Sequence, residues 1–355
     1  MVTRREFLKM SLFGAGAVML QPWLKWLNLQ SDFPEAPRLG RNCTAGWIEL
    51  RSAPSPSAPS LGKLYEDAVV VWLREVVGEF ASLSRRWVET PEGFVYAPNL
   101  QPVRNLPNQP VTSFPETSMG RGMWAEVTVP YVDIYPDKPP CSPWVQEVIN
   151  PRLYYSQVMW IDDVVTNSQG QVLYRVNEKY GNCGDIFWAL AEAFRPITEE
   201  ELAPIRPEVA DKRIEVNLTY QTLSCYEGKD EVYFCRVSTG SKFNAAGEAV
   251  DKWATPVGEH IPWRKVLSIH MAGGSTGVGY DTPGIPWTIL FDPDGAAIHS
   301  TFWHNDFGTP RSHGCVNCLP EDAKWIFRWA SPVVGYDPGD KDLTGIGGTI
   351  INVKE

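Results

Sequence analysis

HSTFWHNDFGTPRSHGCVN, residues 299–317, sets a cysteine among small and polar residues with histidines close at hand. A free thiol titrates near ~8.5, so attack on a carbonyl requires a base to take its proton or a positive charge to hold the thiolate. Cys315 has His313 two residues before it, His304 within the same stretch, and His299 at the end of an apolar run that reads as a strand. Cys315 and Cys318 also make a C-x-x-C. A redox pair of that spacing opens a helix after a strand of a βαβ unit, and no such alternation surrounds it. A zinc site wants a second cluster of ligands, and His260 and His270 do not supply one. The stretch therefore reads as a nucleophile loop without metal or cofactor, with Cys318 a small buried residue beneath it.

Downstream, Leu319-Pro320-Glu321-Asp322 predicts a helix start, with proline in the first turn and acids at the positive end of the dipole. Ala323, Ile326, Phe327 and Ala330 recur at helical spacing and mark its buried face. Upstream the pattern is β. Ile214, Val216, Leu218 and Tyr220 alternate with polar residues, and Thr222-Leu223 interrupts the phase as a bulge would. The turn Glu227-Gly228-Lys229-Asp230 returns the chain as a hairpin flanked by Cys225 and Cys235, which read either as a cross-strand disulfide or as small buried residues. Gly347-Gly348-Thr349-Ile350-Ile351-Asn352-Val353 predicts a last strand that closes the sheet.

Ser312-His313-Gly314-Cys315-Val316-Asn317, preceded by Ile298-His299-Ser300, resembles the signature of the L,D-transpeptidases, the YkuD-like cell-wall cross-linking enzymes. The resemblance extends through Val237-Ser238-Thr239-Gly240, Thr255-Pro256-Val257-Gly258 and Ile285-Pro286-Trp287, and covers residues 212–355. It implies a β-sandwich with a short helix after the nucleophile loop. It implies Cys315 as nucleophile and His299 as base, oriented by the backbone carbonyl of Ser300, with His313 supporting the intermediate. The N–H groups of Gly314 and Cys315 would form the oxyanion hole, and Tyr280 would assist it. Arg311 beside the loop suits a substrate carboxylate; a solvated surface charge is the competing reading.

At the other end, Thr3-Arg4-Arg5-Glu6-Phe7-Leu8-Lys9 and the apolar residues 11–20 form the pattern of a twin-arginine export signal, too short to span a bilayer comfortably. Residues 1–30 are thus read as signal or, if uncleaved, as an amphipathic membrane-associated anchor. Seven cysteines suit an exported protein with few bridges, Cys141 and Cys183 being one candidate pair. A net charge of −10 excludes nucleic acid as a natural partner, since phosphate backbones are bound by clustered Lys and Arg.

The first half carries a faint repeat: Trp47-Ile48-Glu49-Leu50 recurs as Trp124-Ala125-Glu126-Val127, and Leu64-Tyr65 through Trp72 as Leu153-Tyr154 through Trp160. It resembles bacterial SH3-like domains, predicting small β-barrels at residues 41–105 and 120–198. The proline-rich stretches 99–115 and 196–207 read as semi-rigid linkers. The expectation is a mainly β, exported enzyme that acylates Cys315 with a peptidoglycan stem tetrapeptide and passes the acyl group to an amine at the cell-wall surface. An L,D-carboxypeptidase with water as acceptor, and a non-catalytic wall-binding protein, are the competing readings.

Overall fold

Alternation of apolar and polar residues fixes the inner faces of two five-stranded sheets in the C-terminal half. In Lys212–Asn217 the residues Ile214 and Val216 are fully buried while their neighbours are partly exposed. The computed structural model describes residues 33–146, 148, 150–180, 184–243, 247–250, 253–273 and 280–355. The expected export signal, residues 1–30, lies outside the described residues, as does Cys183.

The first sheet runs in the order Asp230–Arg236, Thr222–Glu227, Lys212–Asn217, Ile350–Lys354, Gly258–His260. The second runs Val316–Cys318, Ala297–Ser300, Tyr280–Leu290, Arg264–Gly273, Asp340–Asp342. Ile214, Leu223, Trp287, Ile298, Val316 and Ile351 meet in one core with Ile326 and Phe327 of the helix Pro320–Trp329. That helix starts where the sequence places it, with Pro320 in its first turn. Its C-terminus is held by Lys265, whose fully buried Nζ donates to the carbonyls of Phe327, Ala330 and Pro332 at 2.8, 2.6 and 2.9 Å. A cation at the negative end of the dipole satisfies carbonyls that have no intrahelical partner.

Two expectations for this half need correction, and one left open is decided. The phase break near Thr222 is a turn, not a bulge: Asn217 Oδ1 accepts the Tyr220 N–H at 2.8 Å, and Gln221 adopts φ 53. The last strand begins at Ile350 and sits inside its sheet, parallel to Lys212–Asn217 and antiparallel to Gly258–His260, so it does not close an edge. Cys225 and Cys235 are free and buried. They face Tyr233 and Leu223 respectively, offset by two residues rather than opposed, which removes the close approach that a cross-strand bridge requires.

Two β units precede this half. In the first, Leu39–Asn42 pairs with Val69–Val71 and Leu100–Val103, and a 3₁₀ turn, Ala97–Asn99, leads into the last strand. In the second, Met123–Val127 pairs with Val158–Thr166 and Phe194–Pro196, again after a 3₁₀ turn, Ala191–Ala193. In each the first strand lies between two others, but the repeat expected from Trp47 and Trp124 does not align: Trp47–Arg51 is the second strand of its unit and Met123–Val127 the first of the other.

The proline-rich stretches are not free linkers. Leu100–Val103 is a strand, Leu106 N–H donates to Thr128 O at 3.0 Å, and Val111 N–H reaches the Tyr174 hydroxyl at 2.6 Å. In the second stretch Glu201 joins Arg195 to Lys324 of the helix at 2.5 Å each. Pro34–Glu355 accordingly forms one compact unit. The first β unit grips the loop after His299: Arg41 Nη2 donates to Phe302 O at 3.0 Å, Arg86 Nη1 to Asn305 O at 3.2 Å, and Asn305 N–H to Pro98 O at 3.1 Å. The second supports the strand Tyr280–Leu290 through Gln157 Nε2, which donates to Pro283 O at 2.6 Å.

Candidate active site

The strands Ala297–Ser300 and Val316–Cys318 run parallel, with Ile298 opposite Val316 and His299 opposite Asn317. One step back this register sets Cys315 beside Ala297, whose N–H reaches the sulfur. Residues 297 and 299 share a face of their strand, so the imidazole lies diagonally across from Cys315. Both side chains line one cavity of about 280 Å³. Cys318, three residues on, faces away into the core, fully buried and in contact with Cys235. Cys315 and Cys318 are both free thiols.

His299 Nδ1 lies 2.9 Å from the carbonyl of Ser300. A ring nitrogen facing a carbonyl must carry its proton, which leaves Nε2 as a lone pair. Burial holds this imidazole down to about 4, against the Ser300 carbonyl, so it is a neutral base. Among the described residues the Ser300 hydroxyl has no hydrogen-bond partner, and the backbone carbonyl of Ser300 holds the ring. The thiol of Cys315 is pushed up to about 11 by burial, against the Ala297 N–H. The resting pair is therefore thiol and imidazole. Proton transfer must accompany attack.

Gly314 adopts φ +120, and a Cβ built there would meet nothing closer than Ala254 O at 3.8 Å. Glycine is required by conformation rather than space. Its N–H, expected as an oxyanion donor, rests on Ser312 Oγ at 3.2 Å, while that hydroxyl donates to Cys315 O at 2.6 Å. An oxyanion is the better acceptor and can displace so long a contact.

The loop is held from outside by the segment around Ser238. Ser238 exchanges both backbone hydrogen bonds with Asn317 at 3.0 and 2.9 Å, and the N–H groups of Arg311 and Ser312 reach Thr239 O. Gly240 passes so close to the backbone of Trp253 that a Cβ would lie 2.0 Å from its carbonyl oxygen. The quoted motifs around residues 237–240 and 255–258 thus brace the loop of Cys315, Gly240 N–H donating to Thr255 Oγ1 at 2.8 Å.

His313 packs against Trp253 and Tyr280, with ring centroids 4.4 and 5.6 Å apart. Tyr280 begins a strand, lines the cavity, and is held neutral above the usual phenol range by burial and by the Cys315 sulfur beside it. A neutral phenol beside Cys315 can donate a hydrogen bond. Arg311 also lines the cavity, and its Nη1 already pairs with Asp306 at 3.0 Å.

Sequence reasoning undervalued His304 and missed Asn317. His304 is buried, and burial, then Arg311 and His299, hold it down to about 3. Asp306 N–H donates to its Nδ1 at 3.2 Å, so Nε2 carries the proton; Asn317 Nδ2 stands 2.9 Å from it, and the pair bonds when the carboxamide turns its oxygen to accept. Also missed was a buried cluster: His270 Nδ1 lies 3.1 Å from Glu178 and Nε2 bonds Asp281, the neighbour of Tyr280. Glu178 stands 92 residues before it, a separation that gives no local signal. The cluster ties the second β unit to the cavity-lining strand.

No curated protein matches the chain. Among solved structures, an Enterococcus faecium L,D-transpeptidase mutant is 22% identical with a TM-score of 0.31, covering 42% of this chain and 51% of that one. The match thus spans about half of that protein's length. The catalytic domain of an E. faecium L,D-transpeptidase is 23% identical over 41% of this chain and 97% of its own, with a TM-score of 0.30. An L,D-transpeptidase from Mycobacterium smegmatis is 15% identical over 52% and 90%, with a TM-score of 0.32. The family model that matches describes the L,D-transpeptidase catalytic domain YkuD, and residues 211–345 of this chain belong to that family.

Proposed function

We propose that the protein is an exported peptidoglycan L,D-transpeptidase. The observation that supports this best is the shared cavity of Cys315 and His299, with Nδ1 of the imidazole fixed on Ser300 O and Nε2 left as the base. As substrate approaches, His299 Nε2 takes the thiol proton and Cys315 Sγ attacks the carbonyl after the third residue of a stem tetrapeptide. The oxyanion is received by backbone N–H groups of Gly314 and Cys315 and by the Tyr280 hydroxyl. Collapse breaks the peptide bond, His299 returns the proton to the leaving amine, and D-alanine departs from a thioester. An amine of a neighbouring stem then attacks the thioester carbonyl, His299 takes its proton and delivers it to the departing sulfur. Residues 1–30 serve export, and the two β units act as SH3-like modules that hold the enzyme to the wall.

The test is intact-mass spectrometry of the purified full chain with a stem tetrapeptide. The wild type should gain the tripeptide acyl mass and yield dimer; Cys315→Ala should gain none. Tripeptide without dimer would convert the reading to a carboxypeptidase, and an adduct on Cys315→Ala would end it.

A further inference from the structure

Tyr280, Thr282 and Ile285 all line the cavity of Cys315, which a regular strand would not allow. Side chains alternate along a strand, so residues three apart point to opposite faces. The pairing shows where the parity changes. Ile285 lies opposite Ile269 and Thr282 opposite Met271, so Pro283 and Gly284 together face the single residue His270. This is a β-bulge, and it turns the segment 280–282 over by one face. Without it Asp281 would enter the cavity and Tyr280 would point away.

Contacts with the second β unit make the bulge. Gly284 adopts φ +61, and a Cβ there would lie 2.3 Å from the sulfur of the buried Met159. Gln157, 1% exposed, donates from Nε2 to the carbonyl of Pro283 at 2.6 Å. Proline suits this place because it has no N–H to leave unpaired. Beyond the bulge, Asp281 is caught on the outer face by the Trp144 N–H at 2.9 Å and by His270. On the cavity face Tyr280 stands opposite Gly273, where a Cβ would lie 2.8 Å from the phenol oxygen, so the ring rests on bare backbone.

We propose that Gln157, Gly284 and Gly273 are positioning residues for Tyr280: the second β unit holds the bulge that turns the phenol into the cavity, and Gly273 leaves it room to reach the oxyanion formed at Cys315. The second unit is then part of the acyl-transfer site as well as a module joined to it. The inference rests on the acyl-transfer reading of Cys315 and asks none of the three residues to touch substrate.

Full-length variants in a Cys43→Ser background, acylated by p-nitrophenyl acetate and by stem tetrapeptide, test it. Tyr280→Phe should slow acylation by ~100-fold, as loss of an oxyanion donor does. Gln157→Met, Gly284→Ala and Gly273→Ala should each slow it roughly tenfold or more, in kcat with KM held for the tetrapeptide, since the lost contact forms only in the transition state. Placed in Tyr280→Phe, the same changes should cost less than about twofold further, because a residue that acts through the hydroxyl has nothing left to position. A purely structural loss would instead add to that of Tyr280→Phe. Gly284→Ala strains the backbone; if it fails to fold, the test stands on Gln157→Met, which is close in volume, and on Gly273→Ala, whose φ lies outside the left-handed region. Additive losses, unchanged rates or a rise in KM alone would each overturn the proposal. The ester reports on Cys315 whatever its natural substrate. The expected pattern with ester but no acylation by tetrapeptide removes the stem-peptide reading alone, and acylation by both without the pattern removes this inference alone.

Discussion

The neutral resting state of Cys315 and His299 makes a numerical demand on the thiol. With the sulfur near about 11, its thiolate fraction at pH 7 is ~10⁻⁴, against ~3% for an ordinary thiol near ~8.5. That is a deficit of ~300-fold. A more basic thiolate is intrinsically more nucleophilic, and a Brønsted slope of ~0.45 over ~2.5 units returns about 13-fold. Cys315 should therefore exchange with 2,2′-dipyridyl disulfide about 20-fold more slowly than free cysteine at pH 7, and about tenfold faster with each pH unit up to about 10. The assay is thiopyridone release from a Cys43→Ser background. Cys225, Cys235 and Cys318 are buried, so among the described free cysteines Cys315 alone would report. His299→Ala should move this profile little while lowering acylation by ~10²–10⁴, because the imidazole acts as a base during attack rather than as a standing counter-ion. A rate flat from pH 5 to pH 9 would reveal a preformed thiolate–imidazolium pair and refute the reasoning.

Gly314→Ala forces an L-residue to φ +120, at a cost of roughly 1–3 kcal/mol; acylation of Cys315 should fall at least ~100-fold with only a few degrees lost in melting temperature, and unchanged acylation would count against the loop's role. His270→Gln leaves Glu178 and Asp281 without their shared cation and should destabilise by about 3–5 kcal/mol in urea titration. Burial disfavours the imidazolium, but Glu178 and Asp281 outweigh it and hold His270 above the usual range. Its contribution is thus complete below ~6.5 and is lost as pH rises through the raised folded value; the gap between wild type and variant should shrink on going alkaline, and a gap that widened would contradict this. Lys265→Met removes the donor to three carbonyls, each costing roughly 1–3 kcal/mol if left bare, and should lower the urea midpoint; an unchanged midpoint would show the helix end is capped otherwise.

Local chemistry carries far in this protein. The order of histidine, glycine and cysteine in residues 299–317, the helix punctuated by Pro320 and the hairpin at Gly228 depend on neighbours a few residues apart, so the sequence alone determines the candidate nucleophile loop and the β-rich frame around it. Other features depend on partners far along the chain. The protonation of the Cys315 and His299 pair follows from burial, which no spacing encodes. Asn317 gains meaning only when two strands align in parallel, and His270 only when Glu178 arrives from another unit. The stretches read as linkers are fixed by contacts with Thr128, Tyr174 and Lys324, because proline content reports stiffness and not what a segment rests upon.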